Sequence, residues 1–182
     1  PGRCQAEQRI TLAERALRLS LLVRNLADIA VPLGFGHHPY FDASGASLSF
    51  TAAQAWLNGD DQLPTQAVAP AGPYDFAGRA PVVDRDIDNC FHGLTGPAAI
   101  DWTGRPLTLS IGQSASLPVT VVYIPAGGAF FCFEPVPHLN NALHGPPSAA
   151  PMPIIAPGEW FTAEIAFGAV LSQDKGGPSE SR

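Results

Sequence analysis

No apolar run in this sequence lasts long before a glycine or a proline interrupts it. There are 18 glycines and 19 prolines among 182 residues, spread along the chain. Such punctuation leaves little room for long helices and favours short strands joined by turns. Between the interruptions apolar residues recur with period two, which puts alternate side chains on opposite faces of an extended strand. Leu17, Leu19, Leu21 and Val23 alternate with Arg18, Ser20, Leu22 and Arg24. The same pattern returns in Leu48 and Phe50, in Leu107, Leu109 and Ile111, in Val119, Val121 and Tyr123, and in Phe161, Ala163, Ile165 and Phe167. Pro125-Ala126-Gly127-Gly128 turns the chain, so that Phe130 to Glu134 returns as the second strand of a hairpin. The expectation is an all-β fold, a large antiparallel sandwich, forming a single domain over residues 1–174 with a flexible tail over 175–182.

Two stretches read differently. Gln5 to Ala16 has the loose apolar spacing of a short helix, although it lacks a cap and its apolar face is thin. Residues 58–81 carry Asn58-Gly59-Asp60-Asp61, Pro64, Pro70, Gly72-Pro73, Gly78 and Pro81, and read as an extended loop with little regular structure.

Composition narrows the function classes. At 46% apolar residues a packed core is expected rather than disorder. Ten Lys and Arg are scattered along a chain of net charge −6, so no basic face for nucleic acid can be assembled. No apolar run approaches the ~20 residues that span a bilayer as a helix, so no membrane partner is expected. The three cysteines, Cys4, Cys90 and Cys132, form no C-x-x-C pair, which argues against a zinc knuckle or a disulfide framework. Their number and spacing suit a reducing compartment such as the cytoplasm. The first residue is Pro1 rather than Met.

Three constellations carry chemistry. In Pro32-Leu-Gly-Phe-Gly-His-His-Pro-Tyr-Phe-Asp42 the glycines allow tight turning, and Pro39 forces His38 into an extended conformation beside Tyr40 and Phe41. An imidazole pinned there can serve in proton transfer, although a structural histidine in a turn explains the same residues. In Phe130-Phe-Cys-Phe-Glu134-Pro, the side chains of Phe130, Cys132 and Glu134 share one strand face, with Phe131 and Phe133 on the other. A carboxylate ending so apolar a strand is either a rim residue or a partly desolvated base. Asp84, Asp86 and Asp88 form an acidic run that is a solvated loop or a source of acceptors for hydroxyl groups.

In order and wording the three resemble the aldose 1-epimerase (galactose mutarotase) family. The matching elements are His38-Pro39-Tyr40-Phe41, Asp88-Asn89-Cys90-Phe91, and Glu134-Pro135 followed by Asn141-Ala142, with supporting text at Trp56-Leu57, Leu63-Pro64-Thr65 and Pro157-Gly158-Glu159. The resemblance covers about residues 17 to 168. It implies a mutarotase-like supersandwich and an isomerase that interconverts the α and β anomers of a hexose without metal or cofactor. It implies further that Glu134 is the general base, His38 the general acid, Asp88 a ligand of sugar hydroxyls, and Tyr40, Phe41 or Trp56 a surface for the sugar's apolar face. The family pattern also has an earlier part, with further strands, an arginine and a second histidine, to which nothing here corresponds. The expectation is therefore a shortened relative or a chain lacking that part, with uncovered strand edges that favour self-association or a tightly held N-terminal segment.

Three other readings compete. One is a carbohydrate-binding sandwich that has lost its chemistry. Another is a sugar-phosphate epimerase, with Arg79, Arg85 and Arg105 as candidate phosphate ligands. The third is a cupin-like metal enzyme, which the adjacent His37 and His38 disfavour because neighbours on a strand point to opposite faces.

Overall fold

The computed structural model describes residues 3–83, 85–144 and 150–171. The period-two runs are strands. In chain order they are β1 (Cys4–Ala13), β2 (Ala16–Asn25), β3 (Val31–Pro32), β4 (Tyr40–Asp42), β5 (Ala46–Ser49), β6 (Ala52–Asn58), β7 (Pro64–Val68) and β8 (Ala80–Pro81). There follow β9 (Ile87–Leu94), β10 (Ala98–Trp102), β11 (Leu107–Gln113), β12 (Val119–Ile124), β13 (Phe130–Val136), β14 (Ile154–Ile155) and β15 (Trp160–Leu171). A seven-stranded sheet runs β1-β2-β15-β11-β10-β5-β8, a six-stranded sheet runs β4-β13-β12-β9-β6-β7, and β14 pairs with β3. Among the described residues the helical content is one turn of 3-10 helix, Gly72–Tyr74, and no helix is long and apolar enough to cross a membrane.

The two large sheets meet face to face over one core. Leu48, Ile100, Ile111 and Ile165 come from the seven-stranded sheet, and Phe91, Val122, Ile124, Phe131 and Phe133 from the six-stranded one. Phe50 lies at its centre, stacked on Phe76 at 4.9 Å and edge-on to Phe91 and Phe133 at 5.1 and 5.5 Å. Each fully buried side chain of this size contributes ~1.5–3 kcal/mol through removal of apolar surface from water.

Two sequence expectations are corrected. The stretch read as a short helix is β1, paired along its whole length with β2, from Cys4 opposite Asn25 to Ala13 opposite Ala16. Cross-strand partners decide the matter: Ile10 faces Leu19 and Leu12 faces Leu17, contacts that an isolated reading of residues 5–16 does not contain. The stretch read as a structureless loop contains β7, which extends the six-stranded sheet by pairing Ala67 with Trp56 and Gln66 with Leu57. Gln62, at φ 62°, turns the chain between β6 and β7. The tail expected over 175–182 lies outside the described residues.

The seven-stranded sheet overhangs the other. Leu17 and Leu19 of β2 still pack against the core, but on the edge strand β1 Ile10 is 65% and Leu12 79% exposed. An open groove of about 470 Å³ lies there, lined by Leu12, Leu17, Leu19, Pro39, Phe41 and Phe167 among others.

Candidate functional site

The outer face of the six-stranded sheet, turned away from the core, gathers the chemistry. Alternation along β13 sends Phe131 and Phe133 into the core, both fully buried, and Cys132 and Glu134 to the outer face. Register then lays out the neighbours: Cys132 lies between Tyr40 of β4 and Tyr123 of β12, and Glu134 lies opposite Val121, itself opposite Cys90 of β9. Asp88 lies opposite Tyr123 on β12's other side. The floor of this face is apolar, built from Trp56, Cys90, Val119 and Val121 and covered in part by Leu139.

His38 arrives from outside the sheet. The segment preceding β4 lies flat against the end of β13 and the chain just beyond it, and two glycines make that approach possible. A Cβ on Gly36 would stand 2.7 Å from Val136 Cγ1 and 3.0 Å from the Pro135 carbonyl oxygen, and one on Gly34 would stand 2.3 Å from His138 Nε2. Held this way, the His38 ring stacks on Tyr40, centroids 4.8 Å apart and planes 11° from parallel. Its Nε2 stands 3.4 Å from Glu134 Oε1. The imidazole is half exposed, whereas the Glu134 side chain is only 14% exposed.

Electrostatics follow from that burial. Desolvation raises the pKa of Glu134, the charge of Asp88 raises it further, and His38 opposes both. Asp88 is raised for the same first reason, with His38 again opposing. The Cys132 thiol is pushed up to about 12 and that of Cys90 to about 11, by burial first; the carboxylates of Glu134 and Asp88 add to both, and a hydrogen bond with the Asn140 backbone partly offsets the rise at Cys90. The site is thus a desolvated patch with an excess of negative charge, where a carboxyl group holds its proton more readily than in water.

Polar groups without partners mark the same face. Gln54, Trp56 and Asn58 alternate along β6 toward it. Each has a buried atom, Oε1, Nε1 and Oδ1 respectively, with no hydrogen-bond partner among the described residues. Asn58 Nδ2 donates to the Asp88 carbonyl at 2.7 Å, which ties β6 to β9 beside the carboxylate. Asp88 also borders a polar depression of about 390 Å³ with Asn58, Gln62, Tyr74 and Asp86. Buried polar atoms are nearly always satisfied, so three on one strand face point to a site that takes a polar guest.

Of the residues expected from sequence, His38, Tyr40, Asp88 and Glu134 are brought together. Phe41 is not: it points through β4 to the other side, where it packs on Phe131 and Phe167 at 5.4 and 6.4 Å and lines the apolar groove. His37 and His38 lie between β3 and β4 rather than on a strand, and His37 has its Nε2 buried and its pKa lowered by desolvation. Asp84 lies outside the described residues. Gln54 and Asn58 escaped the sequence reading, because only the pairing of β6 with β9 lays them along this face, Gln54 opposite His92 and Asn58 beside Asp88. The arginines considered for a phosphate are engaged elsewhere: Arg79 with Asp101, Arg105 with Asp42, and Arg85 with the carbonyls of Pro73 and Pro81.

Comparison with known proteins bears on the family and the fold. The sequence model of the family described as aldose 1-epimerase matches residues 1–168, an earlier start than the residue 17 read from the motifs. The uncharacterised protein YphB of Escherichia coli K12 is 29% identical over 179 residues, covering 90% of this chain. The chain spans 59% of the length of that relative. Among solved structures, a protein of Escherichia coli K12 provisionally described as an aldose 1-epimerase superposes with a TM-score of 0.84 at 24% identity, covering 94% of this chain and 62% of its own. A galactose mutarotase-like protein from Clostridium acetobutylicum superposes with a TM-score of 0.83 at 18% identity, covering 93% and 57%.

Proposed function

The chain belongs to the aldose 1-epimerase family, and from that premise we propose that it interconverts the α and β anomers of a neutral hexose by opening and reclosing the sugar ring. Glu134 takes the proton of the anomeric hydroxyl while His38 gives a proton to the ring oxygen. The C1–ring oxygen bond breaks, C1 becomes an aldehyde, and rotation about C1–C2 presents its other face. On reclosure the ring hydroxyl returns its proton to His38, and Glu134 returns its own to the new anomeric oxygen. Asp88 accepts from sugar hydroxyls, with Tyr40 at the side of the pocket.

The observation that carries this reading is the 3.4 Å approach of His38 Nε2 to Glu134 Oε1. The two oxygens that exchange protons are bonded to the same carbon, so the acid and base that serve them have to be neighbours. The raised pKa of Glu134 suits a group that takes up a proton and then gives it back. The engagement of Arg79, Arg85 and Arg105 supports a neutral sugar over a phosphorylated one.

Polarimetry of freshly dissolved α-glucose and α-galactose tests the proposal. Glu134→Gln and His38→Asn are each expected to lower the catalysed rate by ~10²–10⁴-fold, with hexose binding retained in Glu134→Gln. Undiminished mutarotation in Glu134→Gln removes the proposed base. A second reading draws on the unpartnered buried polar atoms of Gln54, Trp56 and Asn58, which suit binding without chemistry: a carbohydrate-binding sandwich without turnover. That reading expects wild-type protein to bind hexoses by calorimetry and leave the polarimetric rate unchanged.

A further inference from the structure

The acid–base pair has a third neighbour. One ligand atom each from His38, Cys132 and Glu134 lies within 4.8 Å of the other two. Cys132 and Glu134 are two residues apart on one strand face, and the imidazole is laid over them by the segment that Gly34 and Gly36 allow to pass. We propose that these three side chains form a binding site for a thiophilic divalent cation of the zinc class, and that occupation of the site switches the enzyme off.

Nitrogen, sulfur and oxygen donors together select zinc or its soft neighbours over magnesium or calcium, which take oxygen alone. Zinc–ligand bonds of ~2.0–2.3 Å in tetrahedral geometry put donors roughly 3.5 Å apart. A set within 4.8 Å therefore closes on the ion through side-chain rotation, and the half-exposed imidazole supplies the moving part. Three protein donors leave the fourth position to water. Asp88, close enough to act on both Glu134 and Cys132, adds negative charge around the ion. On binding, the Cys132 S–H bond breaks, its proton leaves to solvent, and a sulfur–metal bond forms. No oxidant or reductant takes part.

Inhibition rests on the acid–base reading above. A metal-bound His38 has no proton to give to a ring oxygen, and a metal-bound Glu134 accepts none. Free zinc and sugar would therefore compete for one place.

Cobalt is the probe, because a tetrahedral cobalt–thiolate centre absorbs visibly, with a ligand-to-metal charge-transfer band. The measurement uses Cys4→Ser protein, so that the exposed thiol of Cys4 does not contribute. One equivalent of cobalt is expected to develop the band, zinc to displace it, and rising hexose to raise the zinc concentration that half-inhibits mutarotation. Cys132→Ala is expected to abolish the charge-transfer band. His38→Asn, at an exposed position with little bearing on folding, is expected to weaken cobalt binding. Outer-shell changes around metals already cost ~10–100-fold, so loss of a direct ligand should cost at least tenfold. Absence of saturable one-to-one binding, or a band unchanged in both variants, overturns the site. A band that behaves as expected in protein without mutarotase activity keeps the metal site and removes the acid–base reading. Brisk mutarotation indifferent to zinc does the reverse.

Discussion

At the scale of single residues, function depends on how far Glu134 has been moved from the ordinary behaviour of a carboxylate. Burial raises its pKa from 4.5, and the charge of Asp88 adds to the rise. The acid limb of the pH–rate profile should therefore lie above pH 4.5. Asp88→Asn removes one of the raising influences, so the limb should move to lower pH while KM for the sugar rises; an unmoved limb would show that Asp88 does not act on the base. A stability consequence follows from the same shift. A carboxyl whose pKa is raised on folding favours the folded state below its unfolded pKa and loses that contribution as pH rises through the folded value. Glu134→Gln carries no such charge, so it should melt higher than wild type near neutrality, and the difference should shrink as pH falls toward 4.5. Melting curves taken at several pH values measure this directly.

At the scale of elements, the segment that delivers His38 is the part most sensitive to change. Gly36→Ala puts a methyl group 2.7 Å from Val136 Cγ1 and 3.0 Å from a backbone oxygen that has little freedom to yield. A loss of about 1–3 kcal/mol is expected from such overpacking. Activity should fall further than stability does, because displacement of the segment carries the imidazole away from Glu134. Comparing denaturant midpoints with mutarotation rates separates the two. The strands of the core were legible in the sequence because one face of each is apolar and the other is not. β1 was not, since Gln5, Glu7, Gln8 and Arg9 dilute the pattern and its apolar side chains remain largely uncovered. β7 was hidden among turn residues, with Thr65 and Gln66 exposed. His38, Glu134 and Asp88 could be singled out from their local wording. The polar atoms of Gln54 and Asn58, and the closeness of Cys132 to both catalytic candidates, depend on which strands lie side by side. No local wording encodes that.

At the scale of the whole molecule, the overhang of the seven-stranded sheet is the unbalanced feature. β1 is an edge strand with ten residues, and Ile10 and Leu12 on it meet solvent. Long edge strands with exposed apolar side chains pair with other chains. Sedimentation velocity should detect association that grows with concentration, and Ile10→Lys combined with Leu12→Lys should reduce it. The same double change should alter stability by no more than about 0.5 kcal/mol per site, since neither side chain is buried. The position of β15 has a different consequence. It is the last strand described, yet it lies between β2 and β11, with Phe167 opposite Leu17 on one side and Ile111 on the other. While the polypeptide is being synthesised, the β1–β2 hairpin emerges from the ribosome long before the strand that joins it to the rest of its sheet. Pairing over such sequence distances is slow and leaves apolar surface waiting. The nascent protein therefore depends on β15 to complete this sheet, and translation that stops before Trp160 should yield chains destined for chaperones or proteolysis rather than a smaller sandwich.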